Sequence, residues 1–281
     1  MNQHRMFATI TRGLLFVSAL LTSAVWAGDP AETKRLLAGR SCPRCDLRYE
    51  NASQLVSKEV DLRGAYMFNI NLYSARLNGA SLESANLQTA NLERSDLSHA
   101  HMGRATLSYA SLAGATLVAS VLQQVVAREA NFDAADLSDA DLSTSDLFRS
   151  SFINVFAENT NFMSADLRST NFSKARLSGA QFVSANLADA NFSGARLPSA
   201  DMRRAQMARI NLSGANLAYS NLTGAVLKNA NLQNADLTGV NLSNADLQNA
   251  DLSGAEMGST LLEGAITCGA KFPANMVITP C

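Results

Sequence analysis

A large apolar residue stands at every fifth position from Leu62 to Leu262. Leu, Phe or Met fills each of these positions except Ala127 and Ala157, and we number this apolar site i. Position i−2 is small and usually Ala, position i−1 is mostly Asp or Asn, and eleven of the 16 glycines stand at i+2. A short repeat of fixed period is typical of a solenoid, in which each unit packs only on its neighbours.

The five-residue spacing argues against a helix, although Ala and Leu are good helix formers. Each step of five would rotate the apolar site by roughly 140° around a helix, which leaves no continuous apolar stripe to bury. In an extended segment, positions i−2 and i share one side and i−1 points away. Because five is odd, the chain must turn once in each unit, and Gly, Asn, Asp and Ser supply that turn. The pattern therefore predicts an all-β chain.

The number of units in one coil can be derived from the phenylalanines. Six of them recur at intervals of twenty in two series, ten residues out of step: Phe132, Phe152, Phe172, Phe192 and Phe162, Phe182. We predict that four units make a coil and that these six side chains form a core stack on two opposite faces, separated along the axis by about 4.8 Å. Asparagines at the same interval, from Asn171 to Asn231, predict an amide ladder outside.

Units such as Ala85-Asn86-Leu87 and Ala250-Asp251-Leu252 resemble the pentapeptide-repeat family. The resemblance covers residues 45 to about 272. It implies a right-handed quadrilateral β-helix of about ten to eleven coils, each of four five-residue units, with i and i−2 inside. We assign 45–272 to this β-helix, 28–44 to an N-terminal segment or cap, and 273–281 to a C-terminal tail or cap. Ala52 and Ser57 at i sites predict an irregular first coil.

Residues 1–27 have the features of a secretory signal peptide. His4, Arg5 and Arg12 flank an apolar run from Leu14 to Trp26, and small residues precede a cleavage point after Ala27. The alternative is an N-terminal anchor helix, but a run of 13 residues is shorter than the ~20 needed to span a bilayer. We expect a periplasmic or secreted bacterial protein that has no membrane span after cleavage.

The four cysteines form two pairs, one near each end of the repeats: Cys42 with Cys45, and Cys268 with Cys281. A disulfide needs Cα atoms within about 7 Å, so a bridge from one end of a rod to the other is excluded. The cysteines are therefore candidates for local disulfides or for bridges between molecules. A redox or zinc function for Cys42 and Cys45 is weaker, since no βαβ pattern follows them and no second ligand pair lies nearby.

No catalytic or cofactor motif occurs in the chain, so we expect neither an enzyme nor a bound cofactor or metal. The chain has 23 basic and 24 acidic residues, and loss of Arg5 and Arg12 with the leader leaves a net charge of −3. Some members of the resembled family inhibit DNA gyrase as acidic rods that imitate duplex DNA. That second hypothesis, a binder or inhibitor of a type II topoisomerase, fits poorly with weak charge and export. No nucleic-acid partner is expected.

The outward positions contain local clusters. Acidic residues concentrate between Glu129 and Asp146, and basic ones between Arg196 and Arg209. The simple interpretation is that outward sites are polar. Alternatively, a surface with charges of both signs would attract a charged protein or polysaccharide.

Two units depart from the repeat, namely 125–127 and 155–157, because their i site shrinks to Ala. In the second unit the outward i−1 residue is Phe156, and Phe148 and Ile153 stand at nearby outward positions. We predict a candidate interaction patch of these three residues. The alternative is a local bulge that turns Phe156 inward. The hypothesis is a non-enzymatic exported scaffold, structural or protein-binding, whose partner and oligomeric state stay open.

Overall fold

The computed structural model describes residues 28–274. Helix α1 spans Pro30–Leu37. From 46 to 271 a five-residue pattern follows without interruption, with one bridging residue at i−1 and a two-residue turn at i+1 and i+2. Parallel bridges join residues twenty apart, from Asp46 with Tyr66 to Asp251 with Lys271. Each coil therefore takes four units and has four sides.

We name the sides by their bridging residues. On each side the bridging residues follow one another at intervals of twenty. They are 61 to 261 on side A, 46 to 266 on side B, 51 to 271 on side C and 56 to 256 on side D. The turn at i+1 and i+2 forms the corner that follows each side. A residue's number therefore gives its side and its level along the rod.

Backbone hydrogen bonds hold the coils together. The Leu62 N–H donates to Ser81 O at 2.8 Å, and the Ser81 N–H donates back to Val60 O at 2.9 Å. Each corner is closed by a turn such as Ala65 N–H to Leu62 O at 3.1 Å. Position i+2 has positive φ, 64° at Gly64 and 57° at Arg204. Glycine is favoured there because it adopts this conformation without steric cost, but other residues also occupy it.

The core is a column of side chains from i and i−2. All six phenylalanines of the two series are fully buried. Rings of the Phe132 series stack with centroids 4.4–4.8 Å apart, and Phe162 stacks on Phe182 at 5.0 Å. Rings of the two series meet edge to face at 5.7–6.2 Å. Offset stacks and edge contacts are the arrangements that aromatic quadrupoles favour.

The preference for Asp or Asn at i−1 has a local cause. The side chain accepts a hydrogen bond from the N–H of residue i+1, as Asp61 Oδ1 does from Arg63 at 3.1 Å. It therefore stabilises the turn that follows. Part of the amide ladder is also present, with Asn191 donating to Asn171 at 3.2 Å and Asn211 donating to Asn191 at 3.1 Å.

The N-terminal end of the rod is capped. Leu36 of α1 is fully buried in the core, and Glu32 Oε2 accepts a hydrogen bond from the Asp46 N–H at 2.6 Å. Ala52 and Ser57 are buried and their units bridge to the next coil like all the others. The prediction of an irregular first coil is therefore wrong, because the backbone ladder maintains the coil even where the i side chain is small.

Candidate interaction surface

The unit containing Phe156 is regular and contains no bulge. The Phe156 N–H donates a hydrogen bond to Ala135 O at 2.9 Å, and the Phe156 carbonyl accepts one from the Leu137 N–H at 2.6 Å. Val155 and Ala157 are fully buried, whereas Phe156 is 41% exposed. Val at i−2 therefore fills the space left by Ala at i, since core packing depends on total volume rather than on which position supplies it. The same exchange occurs at Val125 and Ala127.

The Phe156 ring lies in a polar setting on side D. Its ladder neighbours are Asp136 on one coil and Arg176 on the next. The Arg176 guanidinium lies 5.2 Å from the ring centroid, within the range of a cation–π contact. Glu158 Oε1 lies 3.8 Å from Arg176 Nε. Sequence reasoning missed Arg176, although its position twenty residues after Phe156 could have revealed it.

Phe148 does not share a surface with Phe156. It lies in the corner after side B, so all of side C and the next corner separate it from Phe156. Its ring lies near two guanidiniums, 4.9 Å from Arg149 and 5.4 Å from Arg168. The prediction of one patch of three residues is therefore corrected. Phe148 and Phe156 are close in the sequence, but the corners of the coil between them turn their side chains in different directions.

Ile153 lies in the corner between side C and side D, next to the side of Phe156. Its N–H donates to Asp133 Oδ1 at 2.8 Å, which fixes this corner to the coil before it. The side chain is half-buried. Phe156, Arg176 and Ile153 are therefore the residues that we retain as the candidate surface, and we call them the side D surface.

The acidic cluster does not form one acidic face. Its residues are distributed around the coil, for example Asp136 on side D, Asp141 on side A and Asp146 on side B. Asp146 is paired with Arg128 at 2.6 Å, and Asp141 accepts a hydrogen bond from Gln123 at 2.6 Å.

The basic cluster between Arg196 and Arg209 is also partly neutralised, because two of its arginines are in ion pairs. Arg209 pairs with Asp189 at 2.6 Å, and Arg203 pairs with Asp201 at 2.7 Å. The side-chain hydrogen bond from Arg209 lowers the pKa of Asp189 below its usual value. The surface thus alternates in sign along and around the rod.

Cys42 and Cys45 are joined in a disulfide with Cα atoms 5.5 Å apart. Both are buried at the N-terminal end of the core. None of the cysteines that the structure describes is free. Cys281, the predicted partner of Cys268, lies outside the described residues, so the second bridge stays a prediction. Residues 1–27, the predicted signal peptide, also lie outside them.

Two other kinds of site are absent from residues 28–274. No cluster of three or more His, Cys, Asp or Glu side chains could hold a metal ion there. Over the same range, no helix has the length and apolar character to cross a membrane.

Comparison with protein families gave matches over most of the chain. A model described as pentapeptide repeats matches eight copies across 58–94, 85–124, 110–147, 205–244 and 230–266. A second, described as a pentapeptide repeat region, matches 145–222. Among curated proteins no match was found.

Several solved structures are similar to this chain. HetL from Nostoc sp. strain PCC 7120, a pentapeptide repeat protein involved in heterocyst differentiation regulation, is 26% identical over 88% of this chain and 97% of its own, with a TM-score of 0.42. Rfr23 from Cyanothece 51142 is 38% identical over 33% of this chain and 63% of its own, with a TM-score of 0.33. QnrB1, a plasmid-mediated fluoroquinolone resistance protein, is 18% identical over 68% of this chain and 90% of its own, with a TM-score of 0.27.

Proposed function

Because the chain belongs to the pentapeptide-repeat family, we propose that it is a non-enzymatic, exported scaffold that binds a protein partner through the side D surface. Members of this family are generally structural or interaction proteins. No family of enzymes is indicated by the comparisons.

The observation that carries the proposal is the exposed Phe156 ring on a regular, otherwise polar side. Neither the core nor the backbone needs an aromatic residue there, since Val155 and Ala157 already fill the interior. Aromatic residues and arginine are both enriched at protein interfaces. The charges of both signs around it, Asp136, Arg176 and Glu158, would orient a partner without repelling it.

Site-specific crosslinking tests the proposal. A photoreactive phenylalanine analogue is placed at position 156 or, as a matched control, at 126. Val126 is 38% exposed in the other Val-x-Ala unit, but it lies on side B. We expect one discrete crosslinked partner from position 156 and none from 126, with loss of that product in Arg176→Ala. Equal crosslinking at both positions would contradict a specific surface on side D.

Export is the second part of the proposal. It is supported by the leader pattern of residues 1–27 and by the cysteine pair at disulfide distance, since disulfides persist in oxidising compartments. Cell fractionation followed by N-terminal mass spectrometry should find the protein in the periplasm or medium, beginning at Gly28. A cytoplasmic protein that retains Met1 would refute export.

The alternative function, imitation of DNA toward a type II topoisomerase, needs a continuous acidic surface. The pairing of Asp146 with Arg128 and the distribution of acids around the coil do not favour it. Gyrase supercoiling measured with and without the mature protein separates the two functions. Inhibition at a stoichiometric concentration would favour the alternative.

A further inference from the structure

Gly103 is a glycine that the fold does not require. It stands at i+1 in the corner after side A, and its φ is not in the positive range that favours glycine. A Cβ atom added there would have Gln123 O, at 3.7 Å, as its nearest contact. Neither backbone conformation nor packing therefore explains the missing side chain.

Gly103 lines a notch of about 360 Å³ on the surface. The notch spans three coils, with Glu83 on one side of Gly103 and Gln123 on the other. His101, Arg104 and Gln124 complete most of its lining. Its volume is at the lower end of the range for small-molecule sites, about 300–1,000 Å³.

One wall of the notch holds an unsatisfied acceptor. Glu83 Oε2 is buried and accepts no hydrogen bond from any residue that the structure describes. The nearest arginine of the same column, Arg63, already donates two side-chain hydrogen bonds to Asp61, at 2.9 and 2.7 Å. A buried polar atom without a partner is costly, and rotation of the carboxylate so that this oxygen meets a hydrogen-bond donor in the notch would remove that cost.

We infer that the notch binds one unit of a neutral saccharide. Its lining offers acceptors at Glu83 and donors at Arg104, with the imidazole of His101 beside them. The Gln123 amide already donates one hydrogen bond to Asp141. Arg104 Nε is held by Gln124 Oε1 at 2.9 Å, which fixes the guanidinium. A charged ligand would meet a like charge at either Glu83 or Arg104. The hydroxyl groups of a polyol can donate hydrogen bonds to Glu83 and accept them from Arg104, so a polyol fits both residues.

The test is calorimetric titration of the full mature protein with three tetrasaccharides: of β-1,4-linked glucose, of α-1,4-linked glucose and of β-1,4-linked N-acetylglucosamine. A pentapeptide, Gly-Gly-Arg-Gly-Gly, is titrated in parallel. We expect at least one saccharide to bind and the peptide not to bind. Gly103→Gln, which fills the notch, should weaken that binding at least tenfold, and Glu83→Gln should weaken it about tenfold.

Ser143→Gln is the matched control, because Ser143 occupies the same i+1 column two coils farther on. It should leave saccharide binding unchanged, and thermal melting should show that all three variants are folded. Binding of none of the saccharides overturns the inference. So does binding that survives Gly103→Gln, or binding of the arginine peptide in their place, which would indicate a protein ligand. None of these results depends on the side D surface.

Discussion

Replacement of Phe172 by leucine should test how much the aromatic stack stabilises the rod. Phe172 is the centre of the stack, with rings at 4.4 Å (Phe152), 4.7 Å (Phe192), 5.7 Å (Phe162) and 6.2 Å (Phe182). Leucine fits the site, since it occupies the same column elsewhere in the chain. The backbone should therefore remain regular in the variant.

The matched variant is Phe132→Leu, at the end of the same column. Phe132 is equally buried but contacts one ring, that of Phe152 at 4.8 Å. The loss of buried apolar area is the same in both variants and cancels in the comparison. Phe172 has three more ring contacts, and each stabilises the fold by about 0.5–1.5 kcal/mol beyond the effect of buried area. Phe172→Leu should therefore lose about 2–4 kcal/mol more stability than Phe132→Leu.

The assay must measure local stability, because a long repeat array can unfold in parts. Hydrogen exchange at the amides of Phe172 and Phe132 provides this, since they donate ladder hydrogen bonds of 2.6 and 2.7 Å to the next coil. The free energy of local opening at residue 172 should fall in Phe172→Leu by more than the free energy of opening at residue 132 falls in Phe132→Leu. Equal losses would show that ring geometry contributes nothing beyond burial.

Three further predictions concern the ends and the charges. Mass spectrometry of unreduced protein should find Cys42 linked to Cys45, and a free thiol at either would contradict the bridge. Glu32→Gln should destabilise the N-terminal coil by about 1–2 kcal/mol in denaturant titration, because a charge-assisted hydrogen bond to the first coil is weakened. The side-chain hydrogen bond from Arg168 lowers the pKa of Asp166, so this pair should stabilise the rod at neutral pH and lose its effect as pH falls below about 4; the melting temperature of Asp166→Asn should be less sensitive to acid than that of the natural protein.

The sequence predicted the coil because its period expresses the geometry directly. A strand segment of three residues and a turn of two require the five-residue unit, and the phenylalanine interval requires four units per coil. Both follow from positions alone, without knowledge of contacts. The hydrogen bond from the i+1 N–H to the Asp or Asn side chain was not anticipated, although it explains the commonest outward residue.

The candidate surface was harder to predict, because contact between two outward residues depends on the side of the coil that each occupies as well as on their separation in the sequence. Phe148 and Phe156 are eight residues apart, yet a whole side separates them. Phe156 and Arg176 are twenty apart and in contact. The notch at Gly103 was also missed, because glycine is expected in turns and its position within the turn was the only signal.

Phe156 and Gly103 are informative for the same reason. In a solenoid each outward residue is free to vary unless the turn, the ladder or a ligand restrains it. Phe156 adds an aromatic ring where the core has no use for one, and Gly103 removes a side chain where the turn has no need for glycine. One departure creates a projection on side D and the other a notch beside side A. Both departures have a feature beside them that a ligand could use: Arg176 lies over the Phe156 ring, and the wall of the notch holds a carboxylate oxygen without a hydrogen-bond partner.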